Sequence, residues 1–242
     1  MADCGAMSAP PTTAPLPAAA AAVAGRAAPG DDEHAHDARL MAAYAAGDAR
    51  AFEELYRRHH QALYRFVRRL LGSSGAAQVD EVFQDAWLRV VQSRQSWRAD
   101  GGASFRTWLY TLAHRRVIDL WRRSGREVSL QRDEDEDAPP FEPAEAPWSQ
   151  WPMPAEAAGS EERLFWRHAG ERLLHCLDQL PPAQRAVFLL HHEDGFAVDE
   201  AARLLELGFE TAKSRLRYAM VKLRTCMGAY LPPAHGRVGE LR

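Results

Sequence analysis

The sequence predicts an all-α protein in which two small helical domains are joined by an acidic, proline-rich linker. Apolar residues recur at helical spacing through residues 37–123 and again through residues 166–228. Between these segments, residues 124–165 hold eleven acids against three arginines, together with many prolines. A stretch of this composition forms neither a core nor a long helix, so we expect an extended linker.

Charge is distributed unevenly along the chain. The 242 residues carry a formal net charge of −3, which by itself gives no sign of a nucleic-acid partner. The linker alone accounts for −8, so the rest of the chain carries +5. A basic body interrupted by an acidic segment keeps nucleic acid among the expected partners.

Other features of the composition favour the cytoplasm. Cys4, Cys176 and Cys226 lie far apart, are odd in number and form no CxxC pattern. They predict unpaired thiols in a reducing compartment rather than a disulfide scaffold. No apolar run is long enough to cross a bilayer, and the N-terminal segment lacks the basic start of a signal peptide. We therefore expect a soluble, cytoplasmic protein without membrane insertion.

The first predicted domain contains four helices. Residues 1–36 are rich in Ala, Pro and Gly and are expected to form a disordered N-terminal arm. Asp37 is the predicted cap of a short first helix, which Gly47 and Asp48 end. The remaining helices of this domain are predicted over residues 49–71, 78–93 and 104–123.

The helix over residues 104–123 is the most distinctive element of the chain. Ser104 is placed to cap it, because a serine hydroxyl can accept a free backbone N–H of the first turn. One side carries apolar residues at helical spacing, and the other carries five arginines against a single acid. Aromatic rings that stack on bases and arginines that bind phosphate suit such a helix to nucleic acid. A core helix with a solvated arginine face is the alternative interpretation.

The second predicted domain spans residues 166–228 and is followed by a C-terminal tail over residues 229–242. Its last three helices are predicted over residues 183–191, 198–206 and 210–226. Two short helices around a tight turn, the second of them basic, form a helix-turn-helix arrangement whose second helix enters the major groove. A small helical bundle with one basic helix is the alternative interpretation.

Two stretches of the chain together resemble one family. QVDEVFQDAWLRVV followed by FRTWLYTLAHRRVIDLWRR is similar to region 2 of bacterial RNA polymerase sigma factors. LDQLPPAQRAVFLLHHEDGFAVDEAARLLELGFETAKSRLRYAMVKLR is similar to their region 4. The lack of a region 3 domain between them is the pattern of the extracytoplasmic-function (ECF) group of the sigma-70 family. The resemblance implies a non-enzymatic factor, without cofactor or metal, that directs core polymerase to promoters under the control of stress signals and an anti-sigma factor.

The resemblance also implies roles for individual residues. The third helix would dock on the clamp of the polymerase β′ subunit through Asp80, Glu81, Gln84, Asp85 and Arg89. The following loop and helix would capture and hold melted minus-10 DNA through Trp97, Arg98, Phe105, Arg106, Trp108, Tyr110, His114, Arg115, Arg116, Arg122 and Arg123. The last helix would contact the minus-35 element through Thr211, Lys213, Ser214, Arg215, Arg217 and Tyr218, with Thr211 and Arg215 at phosphates, while its domain meets the β flap.

The acidic linker would thread toward the polymerase active site and be displaced by the growing transcript. Two positions depart from the family pattern. Arg115 stands where many members have asparagine. Glu206 replaces the usual glycine of the helix-turn-helix turn, and Gly208, two residues further on, leads us to expect a shifted turn.

Two other functions stay open on the residues alone. A stand-alone helix-turn-helix regulator would explain residues 166–228 but would leave the arginine-rich central helix and the acidic linker without a role. A metal-dependent hydrolase would use the paired histidines and carboxylates, although no HExxH or CxxC spacing supports it.

Overall fold

The computed structural model describes residues 31–95, Trp97, residues 103–123 and residues 160–230. Short helical turns over Ser73–Gln78, Leu189–Glu193 and Gly228–Tyr230 join or extend its longer helices. Those helices are α1 Asp31–Ala45, α2 Ala49–Leu71, α3 Val79–Gln92, α4 Phe105–Arg123, α5 Ser160–Asp178, α6 Pro182–Phe188, α7 Val198–Leu204 and α8 Phe209–Met227. No strand occurs among the described residues, so the all-α prediction is confirmed.

Helices α1–α4 pack as the first domain around the apolar face of α2. This helix begins at a cap, since Asp48 accepts a 2.9 Å hydrogen bond from the backbone N–H of Arg50. Its apolar positions recur every three or four residues, which places Leu55, Leu63 and Phe66 on one fully buried face. Helices α3 and α4 bring their own apolar faces to the same core.

Helix α1 begins at Asp31, six residues before the predicted boundary, and Asp37 lies inside it rather than at its cap. The Asp37 carboxylate is buried and accepts a 2.9 Å hydrogen bond from Arg58, while its other oxygen lies 2.7 Å from His59 Nε2. The predicted cap is therefore wrong, because this carboxylate joins α1 to α2. Residues 31–36 belong to a helix, and the rest of the predicted arm lies outside the described residues.

Helices α5–α8 form the second domain. Helix α5 begins at Ser160, so the carboxyl end of the predicted linker belongs to this helix, and residues 124–159 lie outside the described residues. Cys176 on α5 and Cys226 on α8 form a disulfide across a sequence separation of 50 residues. The prediction of unpaired thiols is therefore wrong for these two cysteines. Their pairing depends on the packing of α5 against α8, which the spacing of cysteines in the sequence does not reveal.

The helix-turn-helix consists of α7, a turn and α8. The backbone N–H of Leu207 donates to the Ala202 carbonyl, and that of Glu206 donates to the Arg203 carbonyl. This is the Schellman pattern, in which one residue adopts a left-handed conformation. Glu206 itself takes that position, with φ of 58°. The expectation of a turn shifted toward Gly208 is therefore wrong.

The two domains pack against each other at the carboxyl end of α2. The backbone N–H of Ser73 donates a 3.1 Å hydrogen bond to the Asp178 carboxylate. Arg185 is buried and donates a 3.2 Å hydrogen bond to the Leu70 carbonyl. Gly72 lies between them with φ of +66°. The described part of the chain is thus a closed arrangement in which the end of α2 meets α5 and α6.

Candidate polymerase and nucleic-acid interfaces

Helix α3 places the predicted polymerase-binding residues on its solvent side. Asp80, Glu81, Gln84 and Arg89 are exposed and Asp85 is half-buried, while Val82, Ala86 and Val90 on the other side enter the core. Several of these residues are held by neighbours. Tyr64 donates a 3.0 Å hydrogen bond to Asp80, and Arg89 donates a 2.8 Å bond to Asp85. The resulting surface is predominantly acidic and locally ordered.

Apolar side chains lie on the same surface, and the sequence analysis did not include them. Leu88 is 52% exposed and Val91 is 37% exposed. In addition, Tyr56, Tyr64 and Phe83 line an open pocket between α2 and α3. Leu88 could have been recognised in the sequence, because it falls opposite the buried positions Val82, Ala86 and Val90 on a helix. An acidic surface with exposed leucine and aromatic groups can bind a partner by both charge and apolar contact.

Helix α4 is more buried than its sequence pattern suggests. Ser104 caps it as predicted, since its hydroxyl accepts a 3.1 Å hydrogen bond from the Thr107 N–H. Phe105, Tyr110 and His114, all predicted DNA contacts, are buried in this arrangement. These three side chains are not accessible to a ligand in this arrangement, and their direct contact with DNA stays a prediction. Helix α4 is covered on one side by its own domain and on another by the second domain, so its buried part exceeds a single apolar stripe.

The environment of Tyr110 contains a buried carboxyl group from the second domain. The Tyr110 hydroxyl donates a 2.8 Å hydrogen bond to Asp194 Oδ1. Arg106 donates to the backbone carbonyl of Asp194, and its guanidinium lies 4.0 Å from the centre of the Phe196 ring. Burial raises the pKa of Asp194 to about 7 and lowers that of His114 to about 4. Two buried groups, one on α4 and one packed against it, thus titrate away from their usual ranges.

The remaining predicted minus-10 residues differ in accessibility. Arg115, Arg122 and Arg123 are exposed, and Trp97 and Trp108 are half-buried with ring centres 6.5 Å apart. Arg116 is largely buried and donates a 2.5 Å hydrogen bond to Glu81 of α3. Arg98 lies outside the described residues. The structure therefore leaves three arginines and two tryptophans accessible at least in part to a ligand.

Helix α8 presents the predicted minus-35 residues with one exception. Thr211, Lys213 and Arg217 are exposed, and Ser214 and Tyr218 are half-buried on the same side. Arg215 is only 3% exposed. Arg215 is not accessible to phosphate in this arrangement, because its position lies on the helical stripe that contains the buried residues Ala212 and Ala219, and its phosphate contact stays a prediction. The exposed side of α8 remains cationic.

The described residues contain no helix that is both long and apolar enough to cross a membrane. Within the same residues, no group of three or more His, Cys, Asp or Glu side chains is arranged to hold a metal ion.

Comparison with known families gives a consistent assignment for both domains. The Sigma-70 region 2 family matches residues 55–127, and the Sigma-70, region 4 family matches residues 170–223. The ECF RNA polymerase sigma factor SigM of Mycobacterium tuberculosis strain H37Rv is 31% identical over 192 residues, covering 79% of this chain and 85% of SigM. The ECF RNA polymerase sigma factor SigK of Mycobacterium bovis BCG is 30% identical over 188 residues, covering 78% of this chain and 91% of SigK.

The chain belongs to the sigma-70 family of RNA polymerase sigma factors, in its ECF group. It is a transcription initiation factor rather than a stand-alone helix-turn-helix regulator, since both sigma regions are present in order. Two solved structures share its fold. One is CnrH in complex with the cytosolic domain of CnrY, with a TM-score of 0.53 and 23% identity, covering 80% of this chain and 98% of CnrH. The other is RpoE in complex with the anti-sigma factor NepR from Bartonella quintana, with a TM-score of 0.51 and 22% identity, covering 73% of this chain and 96% of RpoE.

Proposed function

We propose that this sigma factor docks on the clamp of the polymerase β′ subunit through α3. The contact surface consists of Asp80, Glu81, Gln84, Asp85 and Arg89, extended by the exposed side chain of Leu88. Charge complementarity would speed association and fix the orientation of the two proteins, while burial of Leu88 would contribute to affinity. The second domain meets the β flap, and the linker enters the channel that the growing transcript later occupies.

The minus-10 element is opened and held by the accessible side chains around α4. Separating base pairs costs about a few kcal/mol per unstacked step. Stacking on Trp97 and Trp108 recovers about 1–3 kcal/mol per base, and Arg115, Arg122 and Arg123 hold phosphates. Arg98 completes the loop that captures a base. Phe105, Tyr110 and His114 act as positioning residues under these contacts.

The minus-35 element is read by α8 from the major groove. Lys213, Ser214, Arg217 and Tyr218 face bases or backbone, and Thr211 holds a phosphate near the start of the helix. The two DNA elements are thus recognised by separate domains of one chain. The factor itself performs no chemistry, and it works in the cytoplasm, where the polymerase is.

An anti-sigma factor is the proposed regulator. Both solved sigma factors that share the fold were determined with such a partner or with a cytosolic domain bound to them. Exposed Leu88 and Val91 in the first domain, and Leu164 and Phe165 in the second, offer apolar anchors for one. The inducing stress is read by that partner.

One observation carries the promoter-opening role most directly. Arg116 joins α4 to α3 through its 2.5 Å hydrogen bond to Glu81, so the DNA-holding helix is tied to the polymerase-docking helix. Docking on the clamp would therefore fix the position of α4 relative to the enzyme. Run-off transcription with a bacterial core polymerase and fragments of the source genome tests the proposal. Discrete transcripts that depend on this chain are expected, and their absence with every core polymerase tried would overturn it.

A further inference from the structure

Three side chains of α4 that are predicted DNA contacts are engaged by the second domain. Tyr110 donates its hydroxyl to Asp194, and Arg106 binds the Asp194 carbonyl and stacks over Phe196. Arg115 donates to Oε1 of Glu206 twice, from Nη2 at 2.5 Å and from Nε at 3.1 Å. Arg106 and Arg115 are therefore engaged with protein groups here, and a phosphate would have to displace these partners, although the Arg115 side chain itself stays exposed.

The backbone of Glu206 provides a second, independent observation. Its φ of 58° lies in the left-handed region, which glycine adopts without steric cost and which glutamate rarely adopts. A glycine would make the same Schellman turn without this strain. The glutamate side chain points across the domain boundary, where the Arg115 guanidinium lowers the pKa of its carboxyl group. Strained residues persist where the surroundings or a function hold them in place.

The contact at the end of α2 closes the same boundary from the other side. Glu193, one residue before Asp194, forms ion pairs with Arg65 and Arg69 of α2. Arg185 and Asp178 hold the backbone at Leu70 and Ser73. The second domain is therefore anchored to α2 of the first domain at two separate places, one of which adjoins the loop that engages α4.

We propose that Glu206 is an autoinhibitory latch residue, which holds the second domain over α4 in the free chain and withholds Arg106 and Arg115 from promoter DNA. This inference rests on the proposed role of α4 in binding minus-10 DNA. Binding to polymerase and promoter must separate the domains and break the Arg115–Glu206 pair. The latch is specific to the closed arrangement, since its two halves come from different domains.

Domain separation can be measured in the free, full-length chain without DNA or polymerase. Donor and acceptor dyes would be attached to unnatural amino acids at Arg50 and Lys222, two exposed positions in different domains. In Glu206→Gly, the energy-transfer efficiency is expected to fall, while the unfolding temperature stays the same or rises because the turn is relaxed. A purely structural role for Glu206 would leave the efficiency unchanged.

Asp199→Asn is the matched control. Asp199 is an exposed acid on α7 that pairs with Arg203 of the same helix, 3.1 Å away, so its loss breaks an ion pair within one domain. Its energy-transfer efficiency should match that of the wild type. Charge exchange gives a further check, because Arg115→Glu should open the chain and Arg115→Glu combined with Glu206→Arg should close it again.

DNA access is tested with a fluorescein-labelled pool of random single-stranded 20-mers, since stacking tolerates any sequence. Glu206→Gly should bind this pool about two- to fivefold more tightly than the wild type, the factor that one exposed ion pair supplies.

Unchanged energy transfer in Glu206→Gly would overturn the latch, and opening without tighter binding would overturn its inhibitory role. Failure of the proposed function is distinguishable, because it appears as a lack of transcripts with core polymerase and does not affect the energy-transfer result.

Discussion

The hydroxyl of Tyr110 donates a 2.8 Å hydrogen bond to Oδ1 of Asp194, a residue 84 positions further along the chain. The bond joins the central helix of the first domain to a loop of the second. Next to this bond, the guanidinium of Arg106 on the central helix lies over the Phe196 ring, and the charges of Arg106 and Glu193 both act on Asp194. This small, largely buried polar cluster is therefore one of the contacts that hold the two domains together.

Asp194→Asn is expected to stabilise the chain at alkaline pH. Burial raises the pKa of Asp194 to about 7 in the folded chain, against about 3.9 when unfolded. The folded chain thus holds this proton more tightly, and the stability that Asp194 contributes is present below pH 4 and lost as pH rises to 7. At pH 8 the buried carboxylate is charged, so asparagine should raise the unfolding temperature by about 2–4 °C, the shift given by 1 kcal/mol.

Thermal unfolding of both proteins between pH 4 and pH 8 tests this prediction. The charged neighbours of Asp194 are Glu193, Arg106 and Arg65. His114 and His192 complicate the wild-type profile, because burial lowers the pKa of each to about 4 and their contributions are lost as pH falls from about 6.5. Subtracting the two profiles removes the histidines, which both proteins share. A difference that does not vary with pH would contradict the assigned shift.

Gly72→Ala is expected to open the contact at the end of α2. A Cβ at this position would lie 2.6 Å from both Arg185 Nη1 and Asp178 Oδ1, and φ is +66°. The cost should be about 1–3 kcal/mol of backbone strain, with the clash in addition. Gly195→Ala is the control, since it has φ of +72° and open space around its Cβ. Chemical denaturation should show a larger loss for Gly72→Ala, and equal losses would exclude the clash.

The Cys176–Cys226 disulfide should stabilise the second domain. It closes a loop across 50 residues, for which chain entropy gives about 4 kcal/mol as an upper figure. Cys226→Ser should therefore lower the unfolding temperature of the oxidised chain, whereas Cys4→Ser should not. A thiol titration of the denatured, unreduced wild type should find one free thiol. Three free thiols would show that the disulfide does not form.

Leu88→Asp should weaken binding to core polymerase without unfolding the chain, because this side chain is 52% exposed. We expect a loss of about tenfold, which corresponds to about 1.4 kcal/mol. Leu174→Asp is the matched control, since Leu174 is 48% exposed on α5 of the other domain. Binding can be followed by fluorescence anisotropy of labelled chain titrated with core enzyme. Equal affinities of the two variants would remove Leu88 from the docking surface.

Much of the fold follows from local sequence signals. The Ser104 cap, the apolar face of α2 and the breaks at Gly72 and Pro181 all lie within a few residues of the structure they determine. The residues implied by resemblance also fall on exposed surfaces in α3 and, except for Arg215, in α8. Local periodicity is sufficient to predict the buried face of a helix where that helix packs against one neighbour.

Several of the errors have one physical cause, which is contact between segments far apart in the chain, and two others are local. Tyr110 and His114 are buried because the second domain covers α4, and no pattern within α4 indicates this. Asp37 is of a residue type that often caps helices, but its carboxylate contacts His59, 22 residues further along the chain. Arg215 lies on an otherwise apolar stripe, and the assumption that arginine faces solvent outweighed its spacing. A glutamate at position 206 appeared incompatible with a tight turn there. The structure has the turn at this position, with Glu206 itself in the strained left-handed conformation.

Permanganate footprinting on a promoter that this chain activates is the most direct test of the central claim, that α4 holds melted DNA. Wild-type chain with core polymerase should make thymines around the minus-10 element reactive. Trp108→Ala should retain polymerase binding and duplex contact at minus-35 but reduce this reactivity about fivefold or more, since about 1–3 kcal/mol of base stacking is lost. Full protection of the site without reactive thymines in the wild type would contradict the account and would indicate a protein that binds duplex DNA without opening it.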